Sequence, residues 1–100
     1  MTTKIPTKVH VCGKPYVIRL TRKLGADAEN LGVTSFSSQD IEVLAGQAPQ
    51  CERDTVLHEI THVIDLSLAL GMKERQVHAV ACAMLDVLRS NPQLVRYLCQ

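Results

Sequence analysis

Residues 52–69 read ERDTVLHEITHVIDLSLA, and their apolar side chains Val56, Leu57, Ile60, Val63 and Ile64 recur every three or four positions. This period predicts a helix, with Gly71 as its natural stop. Inside it stands His58-Glu59-Ile60-Thr61-His62. Residues four apart on a helix project from the same face, one turn above each other. At about 100° per residue, His58 and His62 lie about 40° apart, with Val56, Ile60, Val63 and Ile64 clustered on the opposite side. One face is built to pack, and the other offers two imidazoles that can reach one metal ion at about 2.0–2.1 Å. Glu59 falls about 60° from His62, beside such an ion, where a carboxylate can take a proton from water that the metal activates.

The flanking segments set the fold class. Residues 8–11 alternate, Cys12-Gly13-Lys14-Pro15 supplies turn residues, and residues 16–20 resume the β-rich pattern, which predicts a hairpin. Residues 21–31 fit a short helix through Leu24, Ala26, Ala28 and Leu31 no better than a loop. Gly32 and Ser35-Phe36-Ser37-Ser38 read as a break. Residues 40–45 alternate again and predict a third strand, whose acids Asp40 and Glu42 suit a sheet edge. Beyond the motif helix, residues 73–89 carry Val77, Val80, Ala81, Met84 and Leu88 on one stripe and predict a second helix. Asn91 as cap and Pro92 at the first helical position open a short last helix, whose Leu94, Val95 and Leu98 would close the core. The expected architecture is a single α+β domain over residues 1–100. A small antiparallel or mixed sheet of about three strands packs on the motif helix, followed by a second helix and a short C-terminal one.

Composition bounds the function. A chain of 100 residues can bury roughly 60–70% of its unfolded surface, enough for one core without staples. The hydrophobic share of 46% and charged share of 21% are those of a globular domain. A net charge of +1 and three aromatics (Tyr16, Phe36, Tyr97) give no case for a nucleic-acid or membrane partner. No apolar run approaches a membrane span of about 20 residues, and MTTKIPTKVH has no signal-peptide core, so a cytoplasmic protein is expected. Cys12, Cys51, Cys82 and Cys99 form no CxxC pair and are expected as free thiols. Cys51 and Cys82 lie near enough to the motif to serve as ligands or redox groups. His10, in the first strand, reads as structural.

Thr55-Val56-Leu57-His58-Glu59-Ile60-Thr61-His62 resembles the active-site helix of the zincin metallopeptidases. The size and layout of the chain resemble minimal phage and prophage HExxH proteins and the core of the ImmA/IrrE metallopeptidases, over residues 40–91. The resemblance implies a zinc ion, a gluzincin-like hydrolytic site and a peptide or protein substrate, in the host cytoplasm if the chain is phage-encoded. In that family the peptide commonly lies along the sheet edge near the metal, which here would be residues 39–45.

A catalytic zinc needs a third protein ligand and keeps one position for water. In the resembling family this ligand is an acid on the next helix, and Glu74-Arg75-Gln76-Val77-His78 matches with Glu74 as the acid. A first helix running straight to Leu70 would bring His78, not Glu74, level with His62. A helix ending near Ser67 with a loop after it suits Glu74, which is the favoured reading. Asp65 shares the face of His58 and His62 and is the third candidate, but three residues from His62 it better suits a hydrogen-bond acceptor behind a ligand or a plain surface acid. His78 can orient Glu74 or donate to the tetrahedral oxyanion. Arg75 and Tyr97 can donate too, without support from spacing. The reading is a zinc peptidase with His58, His62 and Glu74 on the metal and Glu59 and His78 as catalytic groups. The alternative is a metal-stabilised interaction module of phage origin that binds a protein without cutting it.

Overall fold

The computed structural model describes residues 3–22 and 31–100. The undecided reading of residues 21–31 falls largely outside them. The elements are β1 (Lys8–Val11), β2 (Lys14–Thr21), β3 (Gly32–Ser35), β4 (Asp40–Leu44), α1 (Pro49–Leu68), α2 (Glu74–Ser90) and α3 (Pro92–Leu98). This is an α+β arrangement with a four-stranded mixed sheet in the order β1-β2-β4-β3. β1 pairs antiparallel with β2, β2 parallel with β4, and β4 antiparallel with β3.

The β1–β2 hairpin closes through Cys12 and Gly13, whose φ angles of 51° and 81° are the left-handed pair that a two-residue type I′ turn requires. Its twist matches that of the flanking strands, so β2 begins at Lys14 rather than after Pro15. Tyr16, Ile18, Ile41 and Val43 alternate onto one face of the sheet, where Val63 meets them with Val56, Ile60 and Ile64 alongside. Burying each such aliphatic side chain is worth about 1.5–3 kcal/mol, and this contact fixes α1 across the sheet. Val77 and Ala81 are the buried residues of α2, which packs on α1 and not on the sheet.

The sheet corrects two expectations. The strand over residues 40–45 is not an edge: β4 lies between β2 and β3, with Ile41 and Val43 fully buried. Its acids mark the open face of a sheet covered on one side, where Asp40 meets the Arg19 guanidinium at 3.1 Å. Among the described strands the edge on that side is β3, a strand in the segment read as a break, and the other edge is β1. The Gly32-Val33-Thr34-Ser35 of β3 carries a single apolar side chain and so no period-two signal, and pairing with β4 outweighs the terminal Gly and Ser.

The helices depart from expectation at their ends. Pro49 occupies the first turn of α1, which therefore starts earlier than residue 52. α1 stops at Ala69, itself left-handed at φ 52°, and Gly71 at φ 70° bends the following loop rather than ending the helix. Asn91 does not cap α3 through its side chain; its Nδ2 donates 2.9 Å to the Val87 carbonyl and so closes the end of α2. Nor does α3 close the core, since none of its residues is buried.

Gly32 sets the distance between β3 and α1. A Cβ there would stand 2.7 Å from Thr55 Cγ2, 3.0 Å from Glu59 Cγ and 3.2 Å from the Glu42 carbonyl oxygen. Thr55 cannot swing aside cheaply, because it is buried and its hydroxyl lies 2.9 Å from the Cys51 carbonyl and 3.0 Å from Gln47 Oε1. Gly32→Ala should therefore destabilise the fold by about 1–3 kcal/mol in urea denaturation. A stability equal to that of the parent chain would show that β3 and α1 are not held this close.

Candidate metal centre

The wall of α1 that faces away from the sheet core and toward β3 carries His58, Glu59 and His62. One ligand atom from each lies within 4.8 Å of the others, so the group can hold a metal ion. The imidazoles, one helical turn apart, meet edge to face with centroids 4.9 Å apart. They open onto a cavity of about 590 Å³ that β3 and α2 also line.

Glu59 is only 5% exposed. Among the described residues, the donor that reaches its carboxylate is the Thr34 hydroxyl, 2.8 Å from Oε1 and 3.2 Å from the Glu59 carbonyl oxygen. A carboxylate taken out of water is expensive unless opposite charge or several donors surround it. One neutral hydroxyl is meagre compensation, and a cation between the neighbouring imidazoles would supply what is missing. The donor set therefore fits a metal.

The α1–α2 connection delivers the second carboxylate. The Asp65 carbonyl accepts the N–H groups of Ala69 and Leu70, and its side-chain Oδ1 accepts the Met72 N–H at 3.0 Å. With α1 ended at Leu68, the loop sets Glu74 at the start of α2, where Gln76 Oε1 accepts the Lys73 N–H at 2.8 Å. Glu74 then spans both imidazoles, with Oε1 2.6 Å from His58 Nε2 and Oε2 3.0 Å from His62 Nε2. Both are hydrogen-bond lengths, so the two Nε2 atoms face one carboxylate, one on each oxygen. Glu74 itself is exposed, while the two histidines are half-buried.

The other candidates separate. His78 lines the cavity with its ring 5.9 Å from that of His58, and its Nε2 lies 3.6 Å from Cys82 Sγ; among the hydrogen bonds and ion pairs of the described residues none joins it to Glu74. Asp65 serves the turn and does not line the cavity. Cys51 does line it, but its thiol donates to Gln47 Oε1 at 3.0 Å. All four cysteines are free. His10 is exposed on β1, and Arg75 and Tyr97 are exposed away from the cavity. The sequence reading missed Thr34 and Gly32, whose one available signal was the β-branched pair Val33-Thr34 beside a glycine. No protein family, curated protein or solved structure matches this chain.

The hydrogen bond from Thr34 to a buried carboxylate has a measurable worth. Thr34→Val keeps the shape, removes the donor and should cost about 1–3 kcal/mol in denaturant titration. In a Glu59→Met background the same change should cost far less. An equal loss in both backgrounds would show that the hydroxyl does not act through Glu59.

Proposed function

We propose that the chain is a zinc-dependent peptidase. The observation that carries this reading is the pairing of two converging imidazoles, His58 and His62, with a buried carboxylate, Glu59, clamped beside them by a strand-edge hydroxyl. A purely structural site held by His58, His62 and Glu74 would have no task for a buried, unliganded Glu59.

His58, His62 and Glu74 would hold the zinc, as a two-nitrogen, one-oxygen set typical of hydrolytic zinc. The bound ion would supply Lewis-acid polarisation of the scissile carbonyl and acidification of water. Glu59 takes the proton from the attacking water and passes it to the departing amine nitrogen. Thr34, fixed in β3, holds the Glu59 carboxylate in one orientation for both transfers. His78, on the cavity wall, donates to the negative charge that develops on the carbonyl oxygen. Among the described residues no strand pairs with the outer side of β3, and its backbone groups would serve an extended peptide, in place of the edge expected at residues 39–45. Four free thiols suit a reducing compartment, and the cytoplasm is the proposed location; among the described residues no helix is long and apolar enough to cross a membrane.

A second reading is a metal-stabilised interaction module. It is favoured by the outer surface of α2 and α3, where Val80, Met84, Val87, Tyr97 and Leu98 are exposed.

A peptide library read by mass spectrometry separates the two. The zinc-loaded chain should cut it, and Glu59→Gln should bind zinc normally while losing at least about 100-fold in rate. Glu74→Gln should weaken zinc binding by about tenfold or more, and His78→Ala should leave it intact. The reverse pattern would make His78 the third ligand. A zinc-loaded chain that cuts nothing would favour the interaction module.

A further inference from the structure

His78 and Cys82 stand four residues apart on α2, so both project from one face of that helix. Their donor atoms, Nε2 and Sγ, are 3.6 Å apart. Zinc bonds sulfur at about 2.3 Å and imidazole nitrogen at about 2.0–2.1 Å, and a tetrahedral angle between those bonds puts the two donors about 3.6 Å apart. The pair is thus spaced as a chelate before any ion arrives. Both residues are exposed, so an ion can reach them and solvent can fill its remaining positions.

We propose that His78 and Cys82 form a second metal-binding position, separate from the His58–Glu59–His62 group, for a thiophilic d10 cation such as zinc or cadmium. The sulfur selects the class of ion, because a thiolate–imidazole pair favours borderline and soft metals over magnesium or calcium. Cys82 binds as the thiolate and releases its proton to solvent. The chelate lies next to the first group without sharing its donors: the His78 ring is 5.9 Å from that of His58, whose Nε2 is directed at Glu74. An ion held by two side chains binds more weakly than one held by three, so the position fills second. Filling it would withdraw His78 from the cavity wall, so an excess of metal would act on the site that one equivalent completes. The existence of the chelate does not rest on the peptidase reading.

Cobalt titration of the full chain, with Cys12, Cys51 and Cys99 changed to serine, tests it. Two equivalents should bind. The visible bands of the histidine–carboxylate site should develop first, followed by a near-ultraviolet thiolate-to-cobalt band. Cys82→Ser should abolish the thiolate band and reduce the stoichiometry to one, with the visible bands intact. His78→Ala should weaken the second equivalent by about tenfold or more. Absence of a thiolate band at two equivalents would overturn the proposal and leave an ordinary S–H···N hydrogen bond. So would a thiolate band that grows with the visible bands at one equivalent, which would place Cys82 on the first ion. Cys12, His78, Cys82 and Cys99 are exposed, and serine at the half-buried Cys51 keeps a donor for Gln47 Oε1, so an unchanged circular dichroism spectrum and urea midpoint of the triple-serine parent keep loss of the fold from confusing the comparison.

Discussion

A strand lies against a helix here at a distance that a methyl group would forbid, and the arrangement of the candidate site depends on that approach. Gly32 brings β3 to within contact of Thr55 and Glu59 on α1. Two residues on, the strand's alternation directs Thr34 at the Glu59 carboxylate. A buried acid on the flank of a helix would otherwise turn to solvent, as long flexible side chains do where nothing holds them. With the hydroxyl in place, the carboxylate stays beside the two imidazoles. Backbone packing, not site chemistry, thus determines where the acid can act.

The rest of the architecture serves that contact. β4 and β2 carry the aliphatic face on which α1 rests, so the rotation of α1 about its axis is set by Val56, Ile60, Val63 and Ile64. That rotation leaves His58 and His62 on the cavity, where they meet Glu74. The turn organised by Asp65 then ends α1 early enough for α2 to start with Glu74 over both rings. Removing any of these constraints would leave the same residues on the same helices without a common focus. α3 adds none of them, which explains how it can lie on α2 with no buried side chain.

Periodicity revealed what depends on periodicity. The three helices, the hairpin and the strand over residues 40–45 are legible because each presents several apolar positions at regular spacing. So is the His58-Glu59-His62 face, since helix geometry alone brings those donors together. β3 is illegible because four residues bounded by glycine and serine carry no such rhythm. The edge assigned to β4 illustrates a different failure: Asp40 and Glu42 show that one face is wet, and strand order is a non-local property that alternation does not encode. The side-chain tasks of Asn91 and Asp65 were likewise hidden, because a short polar side chain can serve whichever helix end lies within reach, and that is known only once the chain has turned. Glu74 depended on where α1 stops, which Ala69 in a left-handed conformation decides without a glycine to announce it.

The His58-Glu59-His62 face of α1 can hold a metal ion. The direct measurement is elemental mass spectrometry of the full chain, purified without chelator or metal-binding tag, beside a His58→Ala, His62→Ala double variant prepared the same way. The parent chain should carry at least one zinc, and the variant should lose one equivalent. No bound metal in the parent after zinc is resupplied, or equal metal in both proteins, would contradict that expectation.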